Sequence, residues 1–287
     1  MMKRPALKRQ RGFTLVELIL VIVLVGIIGG VLTMMLAPAI QSYLLVGQRA
    51  ALTNVADSAL RTIAVDVRRA VPNSLRQANA QCLELVPTID GGRYRTGPDL
   101  NLPGAAYIND AEPGNAFDVL TQLNTIPAQN DVIVIDNRAP EDVYGKTNTA
   151  TVRTVSAPPN PALGTGRIEL NGDMQVHQGY DGARFVVVPA TRQIVTYRCT
   201  QGLDSSGTGT GTLVRLNGAD LAAPPACDGA VPAGAQLVAG KVSSCSFVVY
   251  ANAGATQDSG YVQLQLRLSD KGESVPLTVG VNVSNVP

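Results

Sequence analysis

Histidine is nearly missing from this chain and tryptophan is missing altogether. A histidine-based triad would have to rely on His177, and no G-x-S-x-G nucleophile elbow accompanies it. No CxxC pair suggests zinc. Catalysis, a bound metal and a cofactor are therefore not expected, and His177 reads as a surface histidine. Aromatic residues make up only 4% of the chain, against 28 Gly and 18 Pro, a balance that favours many short strands joined by turns over a helical bundle. Positive charge is scarce outside the first eleven residues, where Lys3, Arg4, Lys8, Arg9 and Arg11 stand without an acid. Removing those five from 23 basic residues leaves 18 against 22 acidic ones. The remainder lacks the field that nucleic-acid binding requires, so no nucleic-acid partner is expected.

What the sequence does have is a long apolar run. Phe13 to Leu36 reads FTLVELILVIVLVGIIGGVLTMML, with Glu17 its one charge. As a helix these 24 residues extend about 36 Å, enough to cross a hydrocarbon core of roughly 30 Å. The basic residues before it should remain cytoplasmic, which puts the carboxyl-terminal body in the periplasm. A removable secretory signal is the rival reading, with Ala37-Pro38-Ala39 as its cleavage site. The run is too long for a typical apolar signal core, contains a carboxylate and is followed by a proline inside that site. Glu17 demands a reason of its own, because an ionised carboxylate in a membrane helix costs about 2.5 to 3.5 kcal/mol.

Arg11-Gly12-Phe13-Thr14-Leu15-Val16-Glu17, a basic leader followed by G-F-T-L-V-E, resembles the signal of type IV pilins and pseudopilins. The resemblance implies cleavage by prepilin peptidase between Gly12 and Phe13, N-methylation of Phe13, and retention of the apolar segment. It also implies that Glu17 pairs with the amino terminus of a neighbouring subunit in lipid, neutralising two charges and setting the stagger between subunits. The tip subunit of secretion systems lacks this glutamate, so Glu17 suggests a subunit with others around it. Implied partners are the peptidase, the major pilin and other minor pilins, the inner-membrane assembly platform and membrane lipid.

The implied fold class is α+β, a long amino-terminal helix on a mainly antiparallel sheet. Its segments are a cytoplasmic leader (1–12), a transmembrane helix (13–36), an amphipathic periplasmic helix (37–72) and a β-rich domain (73–287). In the second helix Leu52, Val55, Ala59, Ile63, Val67 and Ala70 recur at helical spacing, while Arg49, Asn54, Asp57, Arg61, Asp66 and Arg68 fall largely elsewhere. Pro72 should end it, and Gly26, Gly29, Gly30 and Pro38 should bend or weaken the combined helix. Strands are predicted at Cys82–Pro87, Asp131–Asp136 and Arg184–Pro189. A hairpin is predicted from the period-two runs Val262–Leu268 and Val275–Val283, joined through Ser269–Glu273 and covered by the amphipathic helix. Two further strands flank a flexible loop in RQIVTYRCTQGLDSSGTGTGTLVRL. The order of these units, down to the terminal VNVSNVP, is similar to the MshO-like minor pilins of mannose-sensitive haemagglutinin (MSHA) pili. PilW-type minor pilins and J-type pseudopilins resemble it more distantly.

Cys82, Cys199, Cys227 and Cys245 all follow the apolar run, so export would form two disulfides. Four cysteines allow three connectivities. Closing the flexible segment favours Cys199 with Cys227, leaving Cys82 with Cys245. Gly207, Gly209 and Gly211 lead into a strand and not a helix, so a hairpin loop is expected there and not a phosphate site. Asp204 lacks the spacing of a calcium loop, and the sequon at Asn282 sits on a predicted strand; neither is assigned a role.

Overall fold

A computed structural model describes residues 12–250 and 260–283. The leader cations and the end of the VNVSNVP segment, including Ser284 of the sequon, lie outside the described residues. Helix α1 runs from Leu15 to Arg68 and is continuous through Pro38. Aliphatic residues and alanine hold its amino-terminal part helical even though Pro38 removes one backbone donor. The chain divides after Ala50 into two units, and α1 contributes to both.

In the first unit every side chain from Gly12 to Gly47 is exposed. In the second, α1 buries Leu52, Ala56, Ala59, Leu60, Ile63, Ala64 and Val67. Val55, expected on that stripe, is 45% exposed, and Ala56, Leu60 and Ala64 take its place. The helix ends four residues before Pro72. Val71 is disfavoured in helical geometry by the proline after it. Its N–H instead donates to the Val86 carbonyl at 2.8 Å, and Ala70 bridges Pro87.

Thirteen strands among the described residues form two sheets, antiparallel throughout. The seven-stranded sheet is ordered β1 (Arg76–Asn79), β2 (Cys82–Leu85), β9 (Ile194–Cys199), β10 (Gly211–Gly218), β11 (Gln236–Tyr250), β12 (Tyr261–Asp270) and β13 (Glu273–Asn282). Its inner face packs Leu83, Tyr197, Leu213, Phe247, Leu264 and Leu266 against the buried stripe of α1. The hairpin of β12 and β13 is present and longer than predicted. Ser269 and Asp270 pair with Ser274 and Glu273, which reduces the connection to Lys271-Gly272. Both have positive φ, 51° and 85°, the geometry of a two-residue turn that matches the twist of the strands.

The six-stranded sheet is ordered β3 (Asp90–Arg93), β8 (Arg184–Val188), β5 (Val132–Ile135), β6 (Thr149–Ser156), β7 (Gly166–Met174) and β4 (Gly114–Val119). Strand β5 is buried at all four positions because both faces are covered. Ile133 and Ile135 join Phe117, Phe185 and Tyr94 on one side. Val132 and Val134 join Val143 and Tyr144 of the short helix α2 (Pro140–Tyr144) on the other.

The disulfides are Cys82–Cys227 and Cys199–Cys245, with Cα separations of 5.6 and 6.5 Å. The expected pairing of Cys199 with Cys227 and Cys82 with Cys245 is therefore incorrect, and strand parity explains why. Cys82 pairs with Arg198 across β2 and β9, so its side chain shares the outer face with Arg198, and Cys199 points to the inner face. Cys245 lies in the same inner core as Cys199. The loop carrying Cys227 lies on the outer side, where Arg198 donates to the carbonyls of Asp228 and Gly229.

The segment expected to be a flexible glycine loop is pinned. The N–H of Gly209 donates to the Ser269 carbonyl at 2.9 Å, and that of Lys271 to Thr208 Oγ1 at 3.0 Å. A Cβ at Gly209 would collide with the Lys241 carbonyl. Asp204 accepts from Ser206 Oγ and from the N–H groups of Ser206 and Thr208. The side-chain bond from Ser206, then the Thr208 N–H, hold its carboxyl below the usual range.

Candidate assembly site at the amino terminus

Gly12, Phe13 and Thr14 precede α1 outside any helix or strand. Thr14 caps the helix: its carbonyl accepts from Leu18 N–H at 3.2 Å and its Oγ1 from Glu17 N–H at 3.3 Å. Glu17 therefore occupies the third helical position, where a carboxylate also meets the positive end of the helix dipole. Thr14-x-x-Glu17 is a capping signature readable from sequence.

The Glu17 carboxylate has no side-chain partner among the described residues and is exposed on a helix whose neighbouring side chains are Phe13, Val16, Leu20 and Val21. Phe13 is 81% exposed. A Cβ at Gly12 meets no atom within 4 Å, so nothing in the fold itself demands glycine there. Among the described residues all three features are incomplete: an apolar surface without cover, a carboxylate without a counter-charge, and a glycine without a local reason.

A family model described as the prokaryotic N-terminal methylation motif matches residues 7–33, which contain Gly12, Phe13, Thr14 and Glu17. The chain carries a type IV pilin signal. No curated protein and no solved structure matches it. The signal makes this a type IV pilin- or pseudopilin-like chain and points to a structural, non-enzymatic protein, processed by prepilin peptidase and working with pilus-assembly partners. Its apolar helix fits a membrane-anchored, pilus-associated protein.

In the body of this pilin-like chain, Asp66, expected off the apolar stripe, joins α1 to the sheet. Its Oδ2 accepts from Tyr197 Oη at 2.7 Å and from Arg215 Nε at 2.8 Å. Burial, followed by the Asp66 bond, pushes the Tyr197 phenol well above its usual range. Packing of α1 on the paired strands β9 and β10 brings these partners together, so helix periodicity alone could not reveal the contact. His177 is at the surface as expected, with Nδ1 2.8 Å from Asp136 Oδ2.

Proposed function

We propose that this pilin-type chain is a minor pilin of an MSHA-type pilus. It is cut between Gly12 and Phe13, methylated on Phe13, and inserted with residues 13–36 across the inner membrane, with residues 37–72 and the β-rich body from residue 73 in the periplasm. Its work is to initiate or support pilus assembly by helix packing. The observation that carries the reading is Glu17, an exposed carboxylate without a side-chain partner among the described residues, on the apolar stretch of α1. A charge kept in lipid needs an opposite charge, and the cationic amine of a neighbouring subunit supplies one. The two disulfides favour an oxidising compartment for the body.

The test is expression of Glu17→Ala and Gly12→Ala beside the unmodified chain in a piliated host, with cell and sheared-pilus fractions probed separately. Glu17→Ala is expected at mature length but depleted from the pilus fraction, and Gly12→Ala to keep its leader. A Gly12→Ala protein of normal mature length would overturn the reading. Co-purification with secretion-system pseudopilins instead of pilus subunits would reassign the chain to a J-type role.

A further inference from the structure

An open groove of about 1650 Å³ lies in the body between the end of α1, strand β3 and the carboxyl end of β5. Five arginines line it: Arg68, Arg69, Arg93, Arg184 and Arg192. Two carboxylates share the lining, and both are occupied by the protein itself. Asp90 accepts from the N–H groups of Gly91 and Thr125, at 2.8 and 2.6 Å. Asp136 accepts from Arg138 Nε, His177 Nδ1 and the His177 N–H. Among the described residues the side chains of Arg68, Arg69, Arg93 and Arg192 have no hydrogen-bond or ion-pair partner, and Arg192 Nε is buried in that state. A buried donor without an acceptor costs stability. An anionic guest would supply the acceptor that Arg192 Nε lacks and a counter-charge for Arg68, Arg69 and Arg93.

The groove also restricts which anion fits. Strand β3 is the outer strand of its sheet, yet its free edge is already used: Arg93 N–H donates to Thr121 Oγ1, Leu120 N–H donates to the Arg93 carbonyl, and Gly91 N–H is taken by Asp90. A peptide therefore cannot add there as a further strand. Phe185 is buried, which leaves half-buried Tyr180 as the one aromatic surface for a base to stack on. Gln122 and Asn124, by contrast, are exposed in the lining and suit hydroxyl groups. We propose that this groove binds an acidic saccharide chain, with the arginine forks holding its carboxylates in paired hydrogen bonds. The inference does not depend on pilus membership.

Full-length protein in zwitterionic micelles, titrated with fluorescently labelled hexagalacturonate and followed by anisotropy, tests it. Binding is expected at low salt, weakening as salt rises. It should be unaffected by neutral maltohexaose and by Arg267→Ala on the other sheet. Arg69→Ala and Arg93→Ala, both at exposed positions, should each weaken it about tenfold, with Arg93→Lys retaining part of the affinity. Absence of binding at low salt, full affinity in the Arg69→Ala/Arg93→Ala double variant, or displacement by maltohexaose would overturn the proposal. So would polyglutamate or a DNA duplex displacing the saccharide at equal charge.

Discussion

Two stretches of one helix live by different rules. From Leu15 to Gly47, α1 shows apolar side chains on every face and buries none of them. From Leu52 to Val67 it shows a stripe of seven buried residues and a polar remainder. The second stretch is completed by its own sheet, through Leu83, Tyr197 and Leu264 among others. The first can be completed only by lipid or by other copies of such a helix, since an apolar surface of that extent is unstable in water. A buried stripe specifies a fold, and an all-round apolar cylinder specifies an environment.

This contrast is sharpest in the response to truncation. Ile63→Ala, at a side chain with no exposure, should destabilise the body by about 2 to 5 kcal/mol. Leu24→Ala should leave the body's unfolding midpoint unchanged. Urea titration in micelles followed by circular dichroism measures both, and equal losses at the two sites would break the distinction. Next in size, replacing Cys199 and Cys245 together by serine should cost about 2 to 5 kcal/mol, with no effect on membrane insertion.

The apolar run, the part of the second stretch's stripe formed by Leu52, Ala59, Ile63 and Val67, and the terminal hairpin were legible because local periodicity carries them. What was not legible depends on which strands become neighbours. Cys82 and Cys199 come to lie side by side on opposite faces of one sheet only because β2 pairs with β9. No spacing along the chain reports that pairing. The six-stranded sheet was foreseen only at β5 and β8; β3 reads Asp-Gly-Gly-Arg and β4 Gly-Asn-Ala-Phe-Asp-Val, neither with a clean alternation. At the amino terminus the position of Glu17 was legible because it belongs to a contiguous motif, and only the capping role of Thr14 in that same motif was missed.

Smaller effects refine the comparison. Asp66→Asn removes the charge that binds Tyr197 and Arg215 and should cost about 1 to 3 kcal/mol, read in the same urea titration. Burial is the chief cause that raises the phenols of Tyr197, Tyr94 and Tyr144 above the ordinary value of about 10. Their contribution is therefore fully present below about pH 10 and is lost as pH rises toward the folded-state values. Ultraviolet titration of the phenolate should show these tyrosines ionising together with unfolding. Smallest of all, Thr14→Ala should cost the first turn of α1 about 1 kcal/mol. Faster amide exchange at Leu15–Leu18 with no change beyond Leu52 would report it.

Intact mass of the mature protein, taken from membranes without reduction, tests the central claim most directly. The predicted species begins at Phe13, carries one methyl group and lacks four hydrogens for the two disulfides. A species beginning at Ile40 would show that the apolar stretch is discarded, leave the body free of the membrane and contradict the account.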